Sequence, residues 1–132
     1  MAIFVLDACA VIALLRGEAG HEAITEAVRS RRCHIHAVNL CEVYYDCVRV
    51  GGEADADGAM RDCRRMQLIV ANVITPRQLR AAGMLKVRFR LSLADCFAAA
   101  LANQLGAPLL TSDHKEFSPL VEREACKVEF FR

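Results

Sequence analysis

Between Leu91 and Asp113 the chain reads LSLADCFAAALANQLGAPLLTSD, and this stretch leaves few ways to fold. Its alanines favour a helix, since alanine loses no side-chain entropy there. Gly106 followed by Pro108 ends that helix. The apolar step straight after it predicts a short buried strand from Leu109 to Thr111. Two acids frame the unit: Asp95 in the helix's opening turn, behind a Ser92 cap, and Asp113 just past the strand. A helix that starts with one acid and feeds a strand ending in another brings two carboxylates to one edge of a sheet.

Comparable acids occur earlier. Ala2 to Leu6 is a continuous apolar run, as expected of a strand covered on both faces, and such strands are usually parallel. Asp7 ends it and can cap a helix over Ala8 to Leu15. Ala23, Ile24, Ala27 and Val28 set a helical period across Ala19 to Arg31. Cys33 to Val38 reads as a second strand. Asn39 then caps a helix from Leu40 to about Val50, with Glu42 in its first turn and Gly51-Gly52 as its stop. Glu53 to Met66 is a charged helix, Gln67 to Ala71 a third strand, and Pro76 opens a helix that runs past Gly83 to Phe89. His114 to Leu120 is a short turn or helix, and Lys127 to Phe131 a last strand. Strands alternating with helices predict an α/β fold with a mostly parallel sheet. At 132 residues the chain suits one domain, spanning 1–132.

The charge balance, 17 Lys and Arg against 16 Asp and Glu, permits a nucleic-acid partner without arguing for one. Seven scattered cysteines with no CxxC pair fit reduced thiols in the cytoplasm. Cys33, His34, His36 and Cys41 match no zinc spacing, and a strand would turn both histidines away from Cys33. The apolar N-terminus lacks a basic flank, contains Asp7 and is too short to span a bilayer, so a cytoplasmic protein without membrane contact is expected.

The acids admit two readings. Singly, each suits helix capping: Asp7 alone, and Asn39 with Glu42, Ser92 with Asp95, Asp113 with Glu116 as capping boxes. Together they suit a ligand site. In an open parallel sheet the ligand crevice lies beyond the carboxyl ends of the strands, where strand order reverses. If the first and fourth strands are neighbours, Asp7, Glu42, Asp95 and Asp113 meet there. Two like charges about 4 Å apart repel by roughly 4 kcal/mol at an effective dielectric near 20, so protons or a divalent cation must neutralise such a group. Hard oxygen donors favour Mg²⁺ or Mn²⁺.

Taken together, LDACAVIALL, NLCEVYYD, LSLADCFAAALA and LLTSDHKEF resemble the PIN-domain nucleases, and within them the VapC-type toxins of bacterial toxin–antitoxin pairs. The resemblance covers essentially the whole chain. It implies a three-layer α/β/α sandwich with a five-stranded sheet in the order 3-2-1-4-5. It makes Asp7, Glu42, Asp95 and Asp113 the quartet that holds Mg²⁺ or Mn²⁺ for hydrolysis of RNA. It further implies a homodimer or higher homo-oligomer and inhibition by a small antitoxin. Thr111 matches a hydroxyl near the family's metal site. Asn39 stands where relatives often carry Ser or Thr. Lys115 replaces an Asp or Asn found in many relatives, leaving Glu116 as the nearest fifth acid. Lys86, Arg88 and Arg90, just before the Asp95 helix, either reach substrate phosphates or suit a helix end. Arg29, Arg31, Arg32, Arg61, Arg64 and Arg65 read as surface charge. His114 stays outside the catalytic set, because a metal-activated water needs no side-chain base. The alternatives are a PIN nuclease of RNA processing and a non-catalytic RNA-binding scaffold on the same fold. A nucleotide enzyme is disfavoured by the lack of any glycine-rich phosphate motif.

Overall fold

The structure is a computed structural model and describes residues 2–30 and 32–132, so Arg31 lies outside the described residues. Five strands, β1 (Ile3–Leu6), β2 (Arg32–His36), β3 (Ile69–Ala71), β4 (Leu109–Thr111) and β5 (Val128–Phe130), form one sheet in the order β3-β2-β1-β4-β5. Every pairing is parallel. Phe4 aligns with Cys33 on one side of β1, and Val5 with Leu109 on the other. The expected strand order holds.

Connectivity follows from that order. The chain first moves outward from β1 through α1 (Ala8–Arg16) and α2 (His21–Ser30) to β2, then through α3 (Ala37–Gly51) and α4 (Glu53–Arg65) to β3. It returns through α5 (Pro76–Arg88) and α6 (Leu93–Leu105) to β4 on the far side of β1, and α7 (His114–Glu122) leads to β5. Right-handed crossovers in opposite directions place their helices on opposite faces. The core divides accordingly. Phe4, Leu6, Cys33, Ile35 and Leu110 pack with Ala10, Val11, Ile24, Ala27, Val43 and Cys63. Val5 and Leu109 face the other way, toward Ala82, Leu85, Phe117, Leu120 and the alanines of α6. Strand alternation therefore builds two cores from one sheet, which is the three-layer sandwich.

Among the α6 residues, Ala98, Ala99 and Ala102 are fully buried, and side chains this small let the helix lie close to the sheet. Gly106, at φ 63°, closes it in the left-handed conformation that glycine adopts without a Cβ penalty.

Several boundaries shift by one to three residues, β2 for instance running Arg32–His36 instead of Cys33 to Val38, and two of the shifts have a clear cause. Helix α3 begins at Ala37, not Leu40, and its cap is His36, whose Nδ1 accepts from Val38 N–H at 3.1 Å. Asn39 lies inside the first turn. Strand β3 begins at Ile69 because Gln67, at φ 59°, still belongs to the turn that closes α4. No helix among the described residues is long and apolar enough to cross a membrane.

Candidate active site

Strand order reverses between β1 and β4, and their carboxyl ends carry Asp7 and Asp113. Asp7 turns its carboxylate back onto α1, where Oδ1 accepts from Ala10 N–H at 3.0 Å. Asp113 does the same for α7, accepting from Glu116 N–H at 3.0 Å. Ser92 caps α6 through Asp95 N–H at 3.1 Å, which sets Asp95 in the first turn. Glu42 sits in the opening turns of α3, and the Tyr45 hydroxyl donates to its Oε2 at 3.4 Å.

Capping and convergence therefore coexist. Asp7 and Asp113 are caps, and all four acids nevertheless line one pocket of about 290 Å³ at this edge of the sheet. The Asn39 half of the supposed N-x-x-E capping box is absent. Buried Asn39 instead donates from Nδ2 to the Ala94 carbonyl at 2.8 Å, tying the helix that carries Glu42 to the one that carries Asp95.

The acids affect one another. Burial pushes the Asp95 carboxyl up to about 7, and repulsion from Asp7 adds to it, with smaller contributions from Glu42 and Asp113 against a lowering Ser92 hydrogen bond. Glu42 is raised by burial and then by Asp7. Asp7 is raised chiefly by burial, against the hydrogen bonds of Cys9, Thr111 and Ala10. These are carboxylates that favour a proton or another positive charge.

Cys9 Sγ donates to Asp7 Oδ1 at 3.0 Å and lies 3.3 Å from Thr111 Oγ1. Burial and the Asp7 charge hold this thiol up at about 12, so it stays protonated and supplies no thiolate ligand. Thr111 is fully buried and accepts from Asp113 N–H at 3.1 Å while its hydroxyl bonds Asp7. It ties two of the acids together from beneath the pocket.

The remaining sequence candidates lie outside this pocket. Lys86 donates from Nζ to the Leu91 carbonyl and so braces the turn before α6. Arg88, Arg90, Lys115 and Glu116 line a separate groove. His114 stacks on Phe130 with centroids 3.9 Å apart, and its Nε2 lies 2.7 Å from the Arg132 carbonyl oxygen. Residues outside the predicted site set come from α3: Tyr45, which the sequence reading gave to packing, and Asp46 and Arg49, which it missed, line the pocket beside Glu42. Their spacing of three, four and seven from Glu42 is the signal that places them on its helix face. Asp46 is engaged by Arg16 at 2.7 Å and by Arg49.

Among the described residues no three His, Cys, Asp or Glu side chains are drawn into a ready-made cation cage. Mutual repulsion keeps uncompensated carboxylates apart. Mg²⁺ in any case usually binds through one or two carboxylates plus waters rather than an all-protein cage.

No curated protein sequence matches the chain significantly. Solved structures do match in fold. A VapBC2 complex from Rickettsia felis bound to promoter DNA aligns at TM-score 0.75 with 15% identity, over 97% of this chain and 98% of that one. A toxin–antitoxin complex from Klebsiella pneumoniae aligns at 0.74 with 20% identity, over 100% and 98%. VapC20 of Mycobacterium tuberculosis, a sarcin–ricin loop cleaving toxin, aligns at 0.71 with 20% identity, over 89% and 95%. The sequence profile of the PIN domain matches residues 4–120, which spans both ends of the sheet's switch point and all four acids. The chain belongs to the PIN-domain family.

Proposed function

We propose that the chain is a metal-dependent endoribonuclease and the toxin of a toxin–antitoxin pair. The observation that carries this reading is the convergence of Asp7, Glu42, Asp95 and Asp113, from four separate places in the chain, on one pocket. Family membership supports nuclease chemistry, and the VapC20 likeness suggests structured RNA as substrate. The antitoxin partner is suggested by the similar VapBC2 and Klebsiella complexes.

The donor set fits Mg²⁺ or Mn²⁺. It is all carboxylate oxygen, the neighbouring thiol stays protonated, and Asp95 and Glu42 are raised by burial and then by the Asp7 charge. Asp7, Glu42, Asp95 and Asp113 would hold the cation, which when bound supplies Lewis-acid charge and an acidified water for phosphodiester hydrolysis. The protein's own part is placement. Ser92 sets the Asp95 turn, Thr111 and Cys9 hold Asp7, and Asn39 fixes the Glu42 helix against the Asp95 helix. Arg49 adds positive charge at the pocket wall, suited to an approaching phosphate. Assembly as a homodimer or higher oligomer is part of the same proposal.

The test is cleavage of a mixed structured RNA pool with Mg²⁺, Mn²⁺ or EDTA, with Asp95→Asn alongside. Cleavage that needs the cation and falls at least a hundredfold in the variant is expected. If wild type and variant behave alike, the acids only cap helices and a non-catalytic scaffold becomes the better reading.

A further inference from the structure

Beside the carboxylate pocket runs a groove of about 540 Å³ with the opposite charge. Arg88, Arg90, Lys115 and Arg123 line it against a single acid, Glu116. All four cations are exposed, and among the described residues none is in an ion pair. Crowding like charges without counter-ions is unfavourable, and a surface that does so favours a polyanion.

The groove is built rather than incidental. The guanidiniums of Arg88 and Arg123 both lie over the Phe89 ring, 5.3 and 5.7 Å from its centroid, so a buried ring orients two side chains from separate parts of the chain. Its other walls come from the segments that deliver the acids. Arg90 precedes Ser92 by two residues, and Lys115 follows Asp113 by two, while Ser92 and Asp113 both line the carboxylate pocket. The groove and pocket therefore adjoin along two separate connections.

We infer that this groove binds the sugar–phosphate backbone of a single RNA strand on one side of the scissile position, with Arg88, Lys115 and Arg123 as its phosphate contacts. The assignment rests on the nuclease reading for the identity of the strand. A polynucleotide suits the place better than an acidic protein segment. Each of its residues carries one phosphate, so a single strand can place one at the carboxylate pocket and others along the cations. Contacts of this kind position a strand without reading its bases.

Binding is measured with a fluorescein-labelled mixed-sequence single-stranded RNA, by anisotropy across a salt series in EDTA, where no metal-dependent cutting occurs. For single strands each lost phosphate contact lowers the salt slope by about 0.7. The variant Arg88→Gln/Lys115→Gln/Arg123→Gln is expected to lose a slope of about 2 and at least tenfold in affinity at low salt. Arg88→Lys/Arg123→Lys is expected to keep most of the slope, which separates charge from packing on Phe89. The pair Arg29→Gln/Arg32→Gln, with Arg32 at the amino end of β2 and so away from the strand ends that carry the acids, is expected to leave the slope unchanged. An unmoved slope in a folded triple variant overturns the inference, as does an equal loss in the Arg29/Arg32 pair. Stronger displacement by polyglutamate than by unlabelled RNA also overturns it and points to an acidic protein segment. Groove-dependent binding without any cleavage in Mg²⁺ or Mn²⁺ sinks the nuclease reading alone, whereas cleavage with an unmoved slope sinks the groove alone.

Discussion

A buried carboxylate loses the hydration that its charged form needs, and three more acids nearby make ionisation harder still. Asp95 shows the consequence, with its carboxyl raised from 3.8 to about 7. A raised acid binds its proton more tightly folded than unfolded, so it lowers the stability of the metal-free protein as pH climbs from about 4 to about 7. Asp95→Asn removes that charge at similar volume. The metal-free variant should therefore melt above wild type at pH 8, by the equivalent of about 1 kcal/mol once solvent screening of a partly exposed group is allowed for. At pH 4 the two should coincide. A variant that melts lower at pH 8 would show that Asp95 is a stabilising cap and carries no electrostatic strain. The same substitution is expected to abolish cleavage, so lost activity with gained stability excludes misfolding as the cause.

At the scale of elements, what was legible in the sequence was what a single segment decides. The alanine run, the Ser92 cap and the Gly106 stop mark α6 without help from the rest of the chain, and β4 was read to the residue. Helix α3 was misjudged at its start because His36 stands outside the usual cap set. Its ring caps only because the fold holds it, stacked on Phe97 at 4.8 Å with Nε2 2.9 Å from Gln78 Oε1. With Nδ1 accepting from Val38, the ring proton sits on Nε2 and is donated to Gln78. No local pattern discloses a partner 42 residues away. Asn39 was misassigned for the same reason, since its tie to Ala94 spans 55 residues. Ser92 allows a direct check. Ser92→Ala removes the hydroxyl that accepts from Asp95 N–H, and urea unfolding should show a loss of about 1 kcal/mol with an unchanged m-value. A negligible loss would mean that packing of the alanine face alone sets where α6 begins.

The whole molecule assembles its site from positions 7, 42, 95 and 113, which meet only when β1 and β4 pair. That pairing explains why the four acids were legible but the groove beside them was only half so. Arg88 and Arg90 precede Asp95 closely enough to suggest a role, and Lys115 stood out as a missing acid. Arg123 arrives from the far end of α7 and is placed only by its contact with Phe89. The closing strand is fastened to the first loop as well. Arg132 donates to the Ala19 carbonyl at 3.0 Å, and at Gly20, with φ 86°, a Cβ would come within 2.4 Å of the Phe131 carbonyl oxygen. Opening the carboxylate cluster therefore means opening the sheet, and a cation that neutralises the cluster must stabilise the whole fold. Protons and cation compete for the same raised carboxyls, so the effect has a definite pH sense. Saturating Mn²⁺ should raise the melting point more at pH 8 than at pH 5.5, approaching about 2.7 kcal/mol when the ion is in hundredfold excess over its Kd. Asp7→Asn should abolish the increment. If the cation stabilises equally at both pH values, or stabilises the variant as well, it binds elsewhere and the four acids lose their claim to it.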